Sequence, residues 1–258
     1  MSEINFQRSY HLLEEYENIK ERAAQVLGKY AEDSSLISFD DAEKRVIFTS
    51  ERLVPINHSK RPSVMLLFSN PHPHSIKQGM FLSPNTRNCE NLFWPTMRNA
   101  GWFSIPEEKR NPEDLRDMML RVEYPGSFAL CFYCYYDFPT CYPDHIDRIF
   151  GKRFLSQTIE PEADSGFRKT IQEREIEAVV VFNKGIFNLV SNKKVDRYLD
   201  QLKKGGLVRD RVRAFDNDIP IFLTYPTGWR YDKEYKTLRK KSLERIKAAI
   251  LKDLNLDV

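Results

Sequence analysis

The segment Ser69-Asn70-Pro71-His72-Pro73-His74-Ser75-Ile76-Lys77-Gln78-Gly79-Met80-Phe81 gathers an amide, two imidazoles, a cation and a glycine ahead of an aromatic. Two prolines stiffen it, which suits groups that must be held in place. A carboxamide can position a water by hydrogen bonding but cannot take its proton, whereas an imidazole near its neutral pKa can give or accept one. A second segment, Tyr225-Pro226-Thr227-Gly228-Trp229-Arg230-Tyr231, sets an aromatic beside an arginine. That pair suits stacking on bases and contact with phosphate. Each segment also has a plain reading: a rigid His-Pro turn, and a Trp229 packed into a core.

Cysteines stand at positions 89, 131, 134 and 141. The C-x2-C spacing of Cys131 and Cys134 invites a metal reading, but it lies in the strand-like run SFALCFYCYY. Residues three apart on a strand point to opposite faces, and a zinc knuckle needs a turn and a second close pair. Buried apolar thiols are expected instead. No metal site is expected elsewhere, because the loops hold no ligand set with the usual spacing.

Both chemistry-bearing segments follow apolar runs. Residues 63–69, 128–136, 177–183 and 220–225 read as strands buried on both faces. Helical spacing occupies 91–100, 144–155, 166–175, 185–204 and 232–254. This alternation predicts an α/β fold: three α/β/α layers around a four-stranded, mainly parallel central sheet. Ligands in such sheets bind beyond the carboxyl ends of the strands, which is where both segments begin. Leu12, Leu13, Tyr16, Ile19, Ala23, Val26 and Leu27 predict an N-terminal helix over 5–30, and residues 45–54 a short strand or two. One domain over 1–258 is expected, with a core at 60–231 and a C-terminal helix over 232–254.

The composition bounds the rest. With 17 Phe, 12 Tyr and 3 Trp in 258 residues, the chain is not a disordered one. No apolar run reaches the ~18 residues of a membrane span, and the start lacks a signal-peptide core. Work inside the cell is therefore expected, in the cytoplasm or, in a eukaryote, the nucleus, with no membrane partner. The net charge of +3 is mild, but Lys193-Lys194, Lys203-Lys204, Arg209, Arg211, Arg213 and Arg239-Lys240-Lys241 crowd the last third. They fit an anionic partner or a solvated helix face. No Gly-x-Gly-x-x-Gly and no Walker loop is present, so no nucleotide cofactor is expected.

Taken in order, Asn70-Pro71, Gln78-Gly79-Met80-Phe81, Phe93-Trp94 and Ala100-Gly101-Trp102-Phe103 resemble the uracil-DNA glycosylase superfamily, nearest to its mismatch-specific and single-strand-selective branches. Tyr225-Pro226-Thr227-Gly228-Trp229-Arg230 looks like that branch's second motif, N-P-S-G-L or H-P-S-P. The likeness spans roughly residues 60–240. It implies a protein that flips one nucleotide out of DNA and hydrolyses the bond between base and sugar. Asn70 then matches the position that orients the water, and Phe81, after Gly79, the aromatic that stacks on the flipped base. Trp229 and Arg230, with Thr227 and Gly228, match the loop that fills the gap in the duplex. Lys77 and Arg230 would meet phosphates. No lysine holds a nucleophile position, so hydrolysis without a Schiff base and without a cofactor is expected. A monomer is expected.

Three departures from the family bear on the base. The Asn common near the end of the second strand is absent, Phe132-Tyr133-Cys134-Tyr135-Tyr136 standing there, with Tyr133 or a neighbour as the residue facing the base. Tyr225 replaces the second-motif His or Asn, and its hydroxyl can still donate to a departing pyrimidine. His72 and His74 add two titratable groups, suited to a poorly leaving cytosine derivative. These changes point to a modified pyrimidine, such as the glucosylated hydroxymethylcytosine that some superfamily members excise from phage DNA. Uracil or mismatched thymine, a free-nucleoside hydrolase, and a non-catalytic nucleic-acid binder that kept the fold are the other readings.

Overall fold

A computed structural model of the chain describes residues 4–28, 35–56, 58–83, 90–213, 215, 218–227 and 233–256. Its contacts divide into two compact units, each assembled from separate stretches of chain. The first comprises Met1–Arg52, Ser69–Ser83 and Cys134–Arg168, and the second Leu53–Phe68, Pro84–Tyr133 and Lys169–Val258.

In the first unit, β1 (Asn5–His11), β2 (Ile37–Asp40) and β3 (Arg45–Glu51) form an antiparallel sheet in the order β1-β3-β2. Asn5 pairs with Glu51 and Arg8 with Phe48 across β1 and β3. The expected helix over 5–30 is therefore corrected: only Tyr16–Leu27 (α1) is α-helical, after a 3-10 turn at Leu13–Glu15. Ile4, Phe6 and Tyr10 alternate with polar residues at a period of two, interrupted in type by Arg8 on the same face, and that period wins locally over the 3.6-residue spacing that starts at Leu12. Tyr10, Phe48, Phe138 and Phe150 pack ring on ring, at centroid separations of 5.1, 5.0 and 4.8 Å along the chain of contacts.

The second unit holds a five-stranded, mostly parallel sheet flanked by helices. Its strands are β4 (Ser63–Phe68), β5 (Ala129–Cys134), β6 (Ile176–Val181), β7 (Val208–Arg211) and β8 (Pro220–Leu223), in the order β5-β4-β6-β8-β7. β4 and β6 are parallel, with Leu67 opposite Val181, and β6 and β8 are parallel, with Val180 opposite Phe222. The four apolar runs are β4, β5, β6 and β8, and the expected count of four is corrected by β7. That strand reads Val-Arg-Asp-Arg and runs antiparallel along the edge of β8. A charged edge strand shows no apolar run, and its charges discourage pairing with another chain. Cys131 and Cys134 are buried within β5, as its strand character requires.

Helices at Phe93–Asn99, Pro112–Arg121, Lys184–Val190, Tyr198–Lys203 and Lys233–Asp253 accompany this sheet. Local sequence sets their starts. Asn111 and Asn183 accept from the backbone N–H of Asp114 and Ile186, as N-caps do, and Pro112 supplies a helical φ at the first position. Trp102 is fully buried and its indole N–H donates to Leu243 O at 3.2 Å, tying the last helix to the chain after Phe93–Asn99. The strand order reverses direction between β4 and β6, the place beside which open α/β sheets carry their ligands. Asn70 is the second residue beyond the end of β4.

Candidate active site

The segment after β4 folds as its residue types dictate. Ser69 O accepts from Tyr136 N–H at 2.8 Å, so the β5-side pairing extends one step past the strands. His72 is the N-cap of the short helix Pro73–Gln78, its Nδ1 accepting from His74 N–H at 3.2 Å. Pro73 stands at the first helical position, where a missing N–H costs nothing. The helix stops at Gly79, φ 61°, the left-handed cap that glycine adopts most cheaply. Gly79 thus has a conformational role besides any contact with a base. The His72 Nδ1 lone pair is engaged by the cap, so in this geometry Nε2 is the nitrogen with a proton to donate.

The Asn70 side chain has one orientation that its surroundings permit. Nδ2 lies 2.8 Å from Thr140 O, 3.0 Å from Thr140 Oγ1 and 3.3 Å from Pro71 O. Two of these are carbonyl oxygens, which only accept. The third belongs to a hydroxyl that donates to Tyr142 O at 2.9 Å and so also faces Asn70 as an acceptor. The NH2 must therefore point at Thr140, and Oδ1 is turned away with no hydrogen-bond partner among the described residues. A half-buried, fixed carbonyl oxygen of this kind can accept from a water and orient it.

Behind Thr140 lies an ionic anchor that the sequence alone does not reveal. Asp137 is 4% exposed. Arg52 Nη2 reaches both of its carboxylate oxygens, at 3.1 and 3.0 Å, and Arg8 Nε lies 3.0 Å from Oδ2. Next to Arg52, Glu51 is buried at the end of β3, and its Oε2 has no hydrogen-bond partner among the described residues. Burial pushes its carboxyl well above the usual range, which favours the neutral form. Burial likewise pushes the Cys134 thiol up, with Glu51 and then Asp137 adding to it, so Cys134 is no nucleophile. Tyr142 is 52% exposed, and its ring meets the buried His145 edge-on at 5.2 Å. No other Phe, Tyr or Trp among the described residues is so exposed.

Neither family models nor curated proteins yield a match to this chain.

Of the residues singled out by sequence, Asn70, His72, His74, Lys77, Gly79 and Phe81 fall in the first unit and Tyr133, Tyr225 and Thr227 in the second. His72 and Lys77 are exposed and His74 is half-buried. Phe81, Tyr133 and Tyr225 are all buried, at 2%, 0% and 0% exposure, and none presents an open ring face. Tyr225 packs edge-on against Tyr235 at 5.0 Å, and its hydroxyl has no hydrogen-bond partner among the described residues. Thr227 O accepts from Arg239 Nη1 at 3.0 Å. Gly228, Trp229, Arg230 and Cys89 lie outside the described residues. Among the described residues no group of three or more His, Cys, Asp or Glu could hold a metal ion, and no helix is long and apolar enough to cross a membrane.

Sequence reasoning missed Thr140, Asp137, Arg8, Arg52 and Tyr142. The one available signal was Asp137 itself, a lone acid in Tyr135-Tyr136-Asp137-Phe138-Pro139. An acid among aromatics needs cations nearby, but those cations sit on β1 and β3, far away in sequence.

Proposed function

We propose that the protein is a DNA glycosylase of the uracil-DNA glycosylase type, hydrolysing the bond between sugar and a modified pyrimidine in DNA. The observation that carries this reading is the Asn70 carboxamide, its NH2 locked onto Thr140 and its Oδ1 left as a fixed acceptor just beyond the end of β4. A water donating to Oδ1 is held for attack on the sugar carbon as the base departs. The amide does not take the proton, so the sugar must already carry oxocarbenium character when water adds, and the proton of the added water then passes to solvent or to the departed base. The chemistry therefore depends on helping the base leave. His72, giving a hydrogen bond from Nε2 as a neutral imidazole, and His74, an imidazole able to give a proton, are the groups we assign to that task, which cytosine derivatives need more than uracil does. Lys77 and the exposed Tyr142 ring suit contacts with phosphate and with an unstacked base.

A second reading is a non-catalytic nucleic-acid binder. The burial of Phe81, Tyr133 and Tyr225 favours it, since none of the three offers a face to a flipped base. One assay separates the two readings. DNA carrying uracil, G·T mispairs, hydroxymethylcytosine or its glucosylated form is incubated with the protein, and alkali then reveals abasic sites. An enzyme makes abasic sites in one of these and loses that activity as Asn70→Ala. A binder retains DNA and makes none.

A further inference from the structure

We infer that Asp137, clamped by Arg8 and Arg52, is a positioning residue that sets the Asn70 carboxamide through the loop it anchors. The inference deepens the glycosylase reading and borrows from it the role of Asn70. All the residues involved belong to the first unit.

The chain from Ser69 to Pro71 is stapled twice to residues 136–140. Tyr136 N–H donates to Ser69 O at 2.8 Å and Thr140 N–H to Pro71 O at 3.2 Å. Between the staples stand Asp137, Phe138 and Pro139. Phe138 is buried against Phe48 at 5.0 Å and Phe150 at 4.8 Å, so this side of the loop packs on the β1–β3 sheet. Asp137 adds direction to that packing. Its carboxylate is held from Arg8 in the middle of β1 and from Arg52 just past β3. Ring packing tolerates sliding, but a buried carboxylate between two guanidinium groups does not. The same sheet grips the other side of the site, because Asn5 Nδ2 donates to Ile76 O at 2.8 Å and so holds the helix Pro73–Gln78. The N-terminal sheet is thus the template on which both flanks of Asn70 are laid.

The consequence is geometric. Both strong contacts of Asn70 Nδ2 go to Thr140, three residues after Asp137. A shift of Thr140 by about 1 Å releases the amide, and misplacement of that order costs about a hundredfold in rate.

The test uses the full-length protein labelled with nitrogen-15. The Asn70 side-chain NH2 signals, assigned by their loss in Asn70→Ala, report the contact without any need for turnover. In Asp137→Asn an NH2 group replaces one carboxylate oxygen that faces a guanidinium. The expected result is exchange of the Asn70 NH2 with solvent at least about tenfold faster, while backbone amides of β4 and β6 keep their protection. Where the wild-type protein excises a base, kcat falls between about tenfold and a hundredfold with KM little changed. Arg52→Lys, which keeps a cation facing Asp137, keeps more of the Asn70 protection than Arg52→Gln does. Should Asp137→Asn not fold, Arg52→Gln, which leaves Arg8 on the carboxylate, is read in the same way. Unchanged Asn70 exchange overturns the inference. So does equal loss of protection throughout β4 and β6, which would make Asp137 an ordinary stability residue. A wild-type protein that excises nothing, with the exchange result as expected, would keep the positioning role and remove the glycosylase reading.

Discussion

Asn70 Nδ2 donates to both the carbonyl and the hydroxyl of Thr140, a residue 70 positions along the chain. The Thr140 hydroxyl gives its own proton to Tyr142 O, so it turns a lone pair towards Nδ2. This arrangement chooses between the two faces of an otherwise reversible amide, and it makes Asn70 a fixed acceptor towards solvent. The arrangement is costly to invert, since any other orientation sets oxygen against oxygen.

The first prediction concerns Asn70 itself. Asn70→Ala removes the acceptor and should lower single-turnover excision by a factor on the order of 10²–10³, the cost of losing one well-placed polar group. Asn70→Asp is the sharper variant. A carboxylate is the stronger base, so if proton removal were the task it should be faster. Here it would set negative oxygens against Thr140 O and Pro71 O, and we expect it to be slower and less stable than wild type. A faster Asn70→Asp enzyme would overturn the positioning role.

Thr140 carries the second prediction. Thr140→Ser keeps the hydroxyl and should leave excision within about threefold of wild type. Thr140→Val is nearly the same size but removes the acceptor that faces Nδ2 and the donor to Tyr142 O. Losing such a hydrogen bond costs about 1 kcal/mol of stability. The carbonyl contact survives in both variants, so a partial loss of rate is expected for Val, read as kcat with KM unchanged. Equal rates for Ser and Val would show that the carbonyl alone holds Asn70.

What the sequence made legible divides along physical lines. Leu66, Val180 and Phe222 stand in unbroken apolar runs, and such runs can only be strands or helices buried all round; their short length, and for the run of Leu66 its bounding prolines, decided for strands. The loop after β4 was legible too, because Pro71, Pro73 and Gly79 each write a backbone conformation directly into the sequence. Two features were hidden. Residues 5–11 form a strand whose alternation is blurred by Arg8, a cation that faces inward only because Asp137 awaits it. Thr140 looked like any loop threonine, because its task depends on a partner brought to it by tertiary structure. Local rules read local causes, and the anchor of Asn70 is not local.

His72 has two tasks that substitution can separate. As N-cap it accepts from His74 N–H, and as imidazole it is a candidate donor to the departing base. Asn is a good N-cap without an ionisable ring. His72→Asn should therefore preserve the melting temperature while lowering excision if the imidazole takes part. His72→Ala should lose both the activity and about 0.5–2 kcal/mol of stability. Retained activity in His72→Asn would leave the departing base to His74.

Glu51 gives a prediction in pH. Its carboxyl is raised in the folded protein by burial, while the unfolded chain titrates near the ordinary value of 4.5. Between that value and its own folded-state pKa, the folded protein holds a proton that the unfolded chain has lost. Stability then falls as pH rises, by up to about 1.4 kcal/mol per pH unit, and the penalty vanishes below the unfolded value. Glu51→Gln, of the same size, has no proton to lose. Its melting temperature relative to wild type should rise as pH is raised above the ordinary carboxyl value, levelling off at the folded-state pKa of Glu51. Cys134, whose thiol is raised chiefly by its own burial, stays protonated across this range in both proteins. A difference that stays flat with pH would mean that Glu51 ionises normally in the folded protein.

Tyr225 offers a test in which stability and function move in opposite directions. Its hydroxyl is buried without a hydrogen-bond partner among the described residues, a state that costs about 1–3 kcal/mol. Proteins retain such groups where another molecule completes them. Tyr225→Phe keeps the ring and its edge-on packing against Tyr235. The resemblance to uracil-DNA glycosylases gives the hydroxyl a role at the departing base, and in that case Tyr225→Phe should melt higher than wild type and excise more slowly. Higher stability with unchanged excision would leave the hydroxyl without a catalytic task. Lower stability would mean that the folded protein satisfies it internally, and the reason for assigning it to the base would be gone.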